Sequence, residues 1–148
     1  MGKSYVIGHS NGSAMAYRVA AELSHKIAGI GANSGQMVYE YCNPQYPVPI
    51  IHMHGLSDHL VPYEGNGKTI PSVDSVLAVW RRINNCRSIP VTIFNRRGIV
   101  GKKWTSLSGI GDIELYTIQA GKHKWPKITT VGISATNVFW DFLKVQHK

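Results

Sequence analysis

The chain has 148 residues, of which 43% are hydrophobic and 16% charged, and its formal net charge is +8. This composition is typical of a globular protein and excludes a disordered chain, and the length suits one domain with a sizeable core. No apolar run is long enough to cross a membrane, and no basic-then-apolar signal peptide begins at Met1.

Short apolar runs alternate with helical patterns along the chain. Strands are predicted at Tyr5–Ile7, Ile27–Ile30, Pro49–Met53, Pro90–Phe94 and Ile113–Ile118, and helices at Ser13–Leu23, Val73–Ile83 and Ser134–Val145. Loops are predicted at Asn43–Pro49, His54–Gly67 and Ala120–Lys127, with a loop or irregular hairpin at Asn95–Gly111. Strands that alternate with helices indicate an α/β fold, with a mostly parallel sheet and helices on both faces. Trp80 and Trp140 lie on helical faces and are predicted to be core residues.

The segment Gly8-His9-Ser10-Asn11-Gly12 matches the G-x-S-x-G nucleophile elbow between a strand and a helix. An elbow holds its serine on a strained turn, where side chains two residues away on either side would collide. Glycine is therefore expected at Gly8 and Gly12. The pattern fixes only three positions, so Ser10 is either a nucleophile or a small residue in a tight turn.

A serine nucleophile needs a base, and the base needs an acid that orients it. In this kind of fold the chain order is serine, acid, histidine, with the acid and the histidine on loops that follow strands. The segment "PVPIIHMHGLSDHLVPYEGN" supplies Asp58 after the third predicted strand, and "IELYTIQAGKHKWP" supplies His123 after the last. Order and placement both agree, so we predict a site formed by Ser10, Asp58 and His123.

The stretches "GHSNGSAMAYRVA", "PIIHMHGLSDHLVPYEG", "VWRRINNC" and "GKHKWP" together resemble the polyhydroxybutyrate depolymerase and feruloyl esterase group of α/β-hydrolases. The resemblance implies that Ser10 is the nucleophile, His123 the general base and acid, and Asp58 the group that orients the imidazole. It implies that the Asn11 backbone N–H is one oxyanion donor. The implied reaction is ester hydrolysis through an acyl-serine, with no metal or cofactor, in a secreted or periplasmic enzyme.

In that group several strands and a loop with an HG-type motif precede the elbow, and this loop gives the second oxyanion donor. Only nine residues precede Ser10. We therefore expect residues 1–148 to form a single, partial domain that resembles the C-terminal half, with its N-terminal strands missing. An inert hydrolase fragment and a thioesterase or peptidase of the same fold are the alternatives to an esterase. The strand at Lys3–Ile7 would be an exposed edge, so a homodimer or higher oligomer through this strand is expected.

Several residues near the predicted site have two interpretations. His9 could line the acyl pocket or act as a spacer, and Trp125 could pack over the acyl site or in the core. His52 and His54 could suggest a metal pair, but the resemblance makes His54 part of the acid-loop block, so no metal is expected. Lys122 and Lys124 flank His123 and could attract an anionic substrate or be simply solvated.

Positive charge is concentrated in the second half of the chain. Residues 1–74 carry four basic and five acidic side chains, whereas residues 75–148 carry twelve and three. Seven basic residues and no acid lie between Arg81 and Lys103. They could bind a polyanion, but no nucleic-acid-binding motif accompanies them, so a solvated face is expected and the expected partner is a small ester.

Two cysteines, Cys42 and Cys86, are too far apart in sequence for a CxxC motif. They could form a disulfide in an exported protein or be two thiols in a cytosolic one. Members of the esterase group often carry cysteines at these places, so the resemblance favours a disulfide.

Overall fold

The structure is a computed structural model that describes residues 3–37 and 42–147. Its strands are β1 (Tyr5–His9), β2 (Gly29–Asn33), β3 (Ile50–Gly55), β4 (Val91–Arg96), β5 (Ile99–Trp104) and β6 (Ile113–Ile118). Its helices are α1 (Asn11–Glu22), α2 (Val73–Ile83), α3 (Ile128–Val131) and α4 (Ala135–Leu143). No helix among the described residues is long and apolar enough to span a membrane.

The strands form one mixed, mostly parallel sheet in the order β1-β2-β3-β6-β5-β4. The first four strands in that order run parallel, whereas β5 is antiparallel to β6 and β4 is antiparallel to β5. The expected α/β-hydrolase-like sheet with helices is confirmed. Parallel strands present their carboxyl ends at one edge, so the loops that follow β1, β3 and β6 meet there.

The helices cover both faces of the sheet. Apolar side chains of α1 and α2 pack with residues of β2, β3 and β6 in one cluster, which includes Tyr17 and Trp80. Side chains of α4 pack with β3 and β6 in a second cluster on the other face, with Phe139 fully buried there. Because both faces are covered, every residue of β2 and β3 is buried.

Helix α2 begins and ends at the predicted residues, because the capping residue before it and the charged residues at its two ends favour the same bounds. The Ser72 side chain accepts a hydrogen bond from the Ser75 backbone N–H at 3.1 Å, which satisfies one of the free donors of the first turn. Asp74 lies in the first turn, and Arg81 and Arg82 lie in the last, so both ends complement the helix dipole.

The region at Asn95–Gly111 is more regular than the sequence suggested, because β5 occupies residues 99 to 104. Strands β4 and β5 form a hairpin whose two turn residues, Arg97 and Gly98, have φ of 52° and 75°. These positive angles fit a type I′ turn, whose twist suits antiparallel strands. Lys102 and Lys103 interrupt the apolar pattern of β5 and concealed the strand. The short helix α3 was also not predicted.

Trp140 was predicted to be in the core, and this prediction is wrong. Its side chain is 55% exposed, and its ring meets Tyr5 edge-on at 6.4 Å between ring centroids. The apolar face of α4 is instead formed by Phe139, Phe142 and Leu143, which are buried.

Cys42 and Cys86 are both free thiols, which corrects the expected disulfide. Both pack partly buried against the cluster of α1 and α2. The Cys86 thiol lies 3.6 Å from the Gly111 carbonyl oxygen, to which it donates. Burial and the nearby Asp112 carboxylate raise the pKa of Cys86 to about 11, so this thiol stays protonated at neutral pH.

Part of the basic segment is engaged within the fold. The Arg81 guanidinium lies 4.7 Å from the centre of the Trp104 ring, a distance at which the cation attracts the ring face. Lys103 lies 2.8 Å from a carboxylate oxygen of Asp112 and 3.9 Å from one of Glu114. These two basic residues therefore have structural partners of their own.

Strand β1 lies at one end of the sheet, and among the described residues its strand neighbour is β2. Ile7 in this strand is half exposed. The edge that the expected homodimer would use is therefore present in the described chain, and the homodimer itself stays a prediction.

Trp80 and Trp140 form a matched pair for testing the packing. Trp80 is 1% exposed, so Trp80→Ala should remove a large buried side chain and lower the free energy of unfolding by about 3–5 kcal/mol. Trp140→Ala should lower it by less than about 1 kcal/mol. Urea denaturation of both variants and the parent measures the difference, and equal losses would contradict the packing described above.

Candidate active site

Ser10 lies on a strained turn between β1 and α1. Its φ and ψ are 57° and −121°, a combination that costs a residue with a side chain about 1–3 kcal/mol. Its backbone N–H donates to the Asn33 carbonyl oxygen at 2.8 Å, and its own carbonyl oxygen accepts from the Ser13 and Ala14 N–H groups. These bonds hold the turn and start the helix, so the Ser10 side chain is presented at the carboxyl edge of the sheet.

The prediction that the elbow requires glycine is confirmed at Gly8 and is wrong at Gly12. A Cβ atom at Gly8 would lie 2.0 Å from the Gly12 carbonyl oxygen, which no side chain can occupy. A Cβ atom at Gly12 would meet nothing within 4 Å among the described residues. The crowded second position is instead Gly35, where a Cβ atom would lie 2.1 Å from the Ser10 carbonyl oxygen. No sequence pattern indicates Gly35, because this residue approaches the elbow only through the pairing of β2 with β1.

The three predicted residues lie in one chain of hydrogen bonds. Ser10 Oγ lies 2.8 Å from His123 Nε2, and His123 Nδ1 lies 2.8 Å from Asp58 Oδ2. The Asp58 carboxylate accepts, so His123 Nδ1 carries the proton and donates it. His123 Nε2 is then free to accept the hydrogen bond of the Ser10 hydroxyl. The geometry thus sets the direction of both bonds.

Asp58 is 3% exposed, and its other oxygen is also occupied. Asp58 Oδ1 accepts from the backbone N–H groups of Leu60 at 3.0 Å and Val61 at 2.9 Å. Three donors therefore surround the carboxylate, and they offset the cost of burying its charge. They also fix the plane in which it faces His123.

The loops that carry Asp58 and His123 touch through two glycines. A Cβ atom at Gly55 would lie 2.1 Å from the Gly121 carbonyl oxygen. That oxygen accepts a hydrogen bond from the Ser57 N–H at 3.0 Å, and the Leu56 N–H donates to the Ile118 carbonyl oxygen at 2.9 Å. The approach requires glycine at residue 55, and sequence reasoning did not find this requirement.

His9 lies beside His123 and also meets Trp125. The His9 ring centroid is 5.1 Å from that of His123 and 6.4 Å from that of Trp125. The Asn33 side-chain amide donates to His9 Nδ1 at 2.7 Å and to the Lys124 carbonyl oxygen at 3.3 Å. Burial and the nearby His123 lower the pKa of His9, so its ring is neutral at pH 7. Asn33 had not been predicted, and its role is to join the elbow strand to the His123 loop.

Trp125 packs against the core, which is one of the two interpretations left open for it. Its indole N–H donates to Thr136 Oγ1 at 3.1 Å, and its ring packs edge-on against Phe139 at 5.5 Å. It also lines a hollow of about 190 Å³ that includes the exposed Lys122 and Lys124. The substrate-binding roles of His9 and Trp125 stay predictions.

Asn11 is the first residue of α1 and directly follows Ser10. The first N–H groups of a helix have no acceptor within that helix, and the helix dipole adds positive potential there. An anionic oxygen beside Ser10 would therefore face a suitable donor, and the oxyanion role of Asn11 stays a prediction.

His52 and His54 are fully buried on β3 and hydrogen-bonded to each other, with 3.1 Å between His52 Nε2 and His54 Nδ1. Burial and the neighbouring imidazole lower the pKa of His52 well below its ordinary value. Burial also lowers the pKa of His54, although the Val61 carbonyl oxygen and Asp58 oppose the shift. No group of three or more metal-ligating side chains is found in the part of the chain that the structure describes.

The chain matches the model of the phospholipase/carboxylesterase family over residues 3–82. This match covers more than half of the chain and includes both the elbow and the Asp58 loop.

The chain belongs to the phospholipase/carboxylesterase family.

Two curated relatives support the assignment of the chain to the esterase-type hydrolases. A bifunctional acetylxylan esterase/xylanase of Neocallimastix patriciarum is 35% identical over 60 residues, which are 40% of this chain and 9% of that protein. NocK of Nocardia uniformis subsp. tsuyamanensis, a protein assigned as an esterase, is 36% identical over 63 residues, which are 41% of this chain and 18% of that protein. The chain thus matches less than a fifth of the length of either relative. The expected esterase-type α/β-hydrolase family is confirmed, and the narrower polyhydroxybutyrate depolymerase and feruloyl esterase group stays a hypothesis.

Gly8 and Gly12 allow a direct test of the elbow. Gly8→Ala should lower the free energy of unfolding by about 2 kcal/mol or more, because its methyl group would overlap backbone atoms of α1. Gly12→Ala should leave stability unchanged or raise it by up to about 1 kcal/mol, because alanine favours the helix. Urea denaturation compares the two variants, and a stable Gly8→Ala protein would contradict the described elbow.

The lowered pKa values of His9, His52 and His54 predict a loss of stability in acid. An unfolded histidine has a pKa of about 6.5, so below that pH the unfolded chain binds more protons than the folded one. The stabilisation is complete above about pH 6.5 and is lost as the pH falls toward the folded pKa values. Burial raises the pKa of Glu114, and this shift lowers the stability as the pH rises. The measured pH dependence of the free energy of unfolding is therefore the histidine effect minus the Glu114 effect.

Urea denaturation at about pH 7.5, 6.5 and 5.5 should therefore give a falling free energy of unfolding. The variant His59→Gln removes an exposed histidine and should show the same slope as the parent. A free energy that does not change across this range would show that the imidazoles of His9, His52 and His54 are not held neutral.

Proposed function

We propose that the chain is a serine esterase that hydrolyses carboxylic esters through an acyl-serine intermediate. The observation that carries this proposal is the continuous chain of hydrogen bonds from Ser10 through His123 to Asp58, with 2.8 Å at each step. Membership of the phospholipase/carboxylesterase family supports the same class of reaction.

The directions of these bonds suit nucleophilic attack by Ser10. His123 Nε2 takes the hydroxyl proton while Ser10 Oγ forms a bond to the ester carbonyl carbon. Asp58 stabilises the resulting imidazolium through His123 Nδ1. When the tetrahedral intermediate collapses, the bond to the alcohol oxygen breaks and His123 gives its proton to that oxygen. Water, deprotonated by His123, then attacks the acyl-serine, and the carboxylic acid leaves as Ser10 recovers its proton.

The negative oxygen of each tetrahedral intermediate needs preorganised donors. We propose the Asn11 backbone N–H as one of them, since it begins α1 directly after Ser10. Each donor of this kind is worth about 10²–10³ in kcat, so turnover depends on how many donors the site assembles.

The proposed substrate is an ester of a small or aromatic carboxylic acid. The acetylxylan esterase named among the relatives supports a small acyl group, and the resemblance to feruloyl esterases and polyhydroxybutyrate depolymerases supports aromatic or hydroxyacyl groups. A panel of p-nitrophenyl acetate, acetylated xylan, methyl ferulate and a hydroxybutyrate oligomer distinguishes these classes. An acyl thioester and a peptide substrate in the same panel test the two related hydrolase activities.

Labelling with a fluorophosphonate probe tests the nucleophile directly. The parent should be labelled and should hydrolyse p-nitrophenyl acetate, and Ser10→Ala should abolish labelling and lower kcat by about 10³-fold or more. His123→Ala should have a similar effect on turnover, and Asp58→Ala a smaller one. Ser88→Ala is the control, because Ser88 is an exposed serine away from the site and its loss should change nothing. A folded parent protein that takes no label would overturn the esterase in favour of an inert hydrolase fragment.

A further inference from the structure

A chain of three buried side chains lies beneath the loop that carries Asp58. Tyr17 OH lies 2.8 Å from His52 Nδ1, His52 Nε2 lies 3.1 Å from His54 Nδ1, and His54 Nε2 lies 2.8 Å from the Val61 carbonyl oxygen. Tyr17, His52 and His54 are all fully buried. The planes of the two imidazole rings are parallel to within 5°, and their centroids are 5.4 Å apart. The reaction proposed above uses none of these three side chains.

The carbonyl end of this chain sets the direction of every bond in it. A carbonyl oxygen can only accept, so His54 Nε2 carries a proton and donates it to Val61. Neutral His54 then accepts at Nδ1, which makes His52 the donor through Nε2. His52 in turn accepts at Nδ1 from the Tyr17 hydroxyl. Burial lowers the pKa of both histidines, which agrees with two neutral rings.

Val61 connects this chain to the Asp58 carboxylate. Its carbonyl oxygen accepts from His54, and its N–H donates to Asp58 Oδ1 at 2.9 Å. His54 Nε2 is also 3.7 Å from Asp58 Oδ2, the oxygen that faces His123. The same N–H group of His54 therefore fixes the turn that holds one carboxylate oxygen and places a positive dipole end near the other.

The other end of the chain reaches the helix of the nucleophile. Tyr17 belongs to α1, which starts immediately after Ser10. The buried chain therefore connects the helix behind Ser10 with the loop behind Asp58 through β3. This connection runs inside the protein, whereas His123 connects the same two residues at the surface edge.

We propose that His54, held in one tautomer by the Val61 carbonyl oxygen and supported from behind by His52 and Tyr17, is a positioning residue that orients the Asp58 carboxylate toward His123. This inference rests on the proposed esterase function, since it assigns His54 a part in the same site. His54 contacts no reacting atom. Its contribution is to limit the orientations of Asp58 so that the proton on His123 stays on Nδ1.

Two amide substitutions separate the two hydrogen bonds of His54. In His54→Gln the side-chain amide N–H can stand near the position of Nε2 and keep the bond to Val61. In His54→Asn the amide oxygen can stand near Nδ1 and keep the bond from His52, while the donor to Val61 is lost. The two variants have similar polarity, so a lower kcat in His54→Asn than in His54→Gln shows that the bond to Val61 matters more than the bond to His52.

Kinetics and NMR of both variants test the proposal. His54→Asn should lower kcat for p-nitrophenyl acetate by about 10- to 100-fold with little change in KM, and His54→Gln should retain most of the parent's kcat. The ¹H NMR signal of the His123 Nδ1 proton, far downfield because it is bonded to a carboxylate, should weaken or shift upfield in His54→Asn alone. The NMR signal needs no turnover, so it tests the positioning even if the parent proves inactive and the proposed function fails.

Equal kcat and an unchanged His123 signal in His54→Asn would overturn the proposal. Equal losses in both variants that follow a loss of folded protein would overturn it in favour of a purely structural role. If neither variant folds, Tyr17→Phe decides, since it removes one hydroxyl and keeps the ring. Tyr17→Phe should broaden or shift the His123 signal in the same direction, and an unchanged signal would reject the positioning role.

Discussion

The site depends on the close approach of two backbone segments at Gly55 and Gly121. Asp58 and His123 lie 65 residues apart in the chain, yet their side chains meet at 2.8 Å. Their loops can come this close because residue 55 has no side chain and because the Gly121 carbonyl oxygen binds the Ser57 N–H. Parallel pairing of β3 with β6 brings the two loops to one edge, and the glycine contact sets their final separation.

The strain at Ser10 complements this arrangement. A serine with φ of 57° is held in place only if its surroundings determine its position strongly. Here the Asn33 carbonyl oxygen, the start of α1 and the crowded Gly8 and Gly35 together do so. The site is therefore prepared by the backbone before any substrate arrives, and the side chains add direction to hydrogen bonds that the backbone has already placed.

Much of the fold and of the candidate site could be predicted from the sequence, because short residue patterns and the order of strands and helices indicate the same structure. The elbow pentapeptide, the chain order of Ser10, Asp58 and His123, and the exact bounds of α2 all follow from short-range patterns with a physical cause. The features that escaped prediction depend on contacts across the sheet. Gly35 and Asn33 matter because β2 lies beside β1. The strand β5 was hidden because two consecutive lysines interrupt its apolar pattern, and the carboxylates of Asp112 and Glu114 come close to Lys103 only in the folded sheet.

The errors have the same origin. Trp140 and Phe139 are neighbours on α4, and helical periodicity alone could not decide which of them faces the sheet. The cysteines were paired by resemblance, although each thiol rests against the apolar cluster of α1 and α2. Gly12 was predicted to be crowded for the same steric reason as Gly8, although the first turn of α1 leaves open space on its side. In each case the outcome depends on which neighbours surround the residue in the folded chain, and the sequence pattern does not contain this information.

The β4–β5 hairpin has a practical consequence. It pairs with the side of β6 that faces away from β3, so the strand that leads to His123 has a partner on both sides. The turn at Arg97 and Gly98 contributes no residue to the Ser10, Asp58 and His123 cluster. The Gly98 carbonyl oxygen nevertheless accepts from the Gln119 N–H at 2.9 Å, so a peptide tag or a fluorescent reporter inserted at this turn would act on the start of the loop that carries His123.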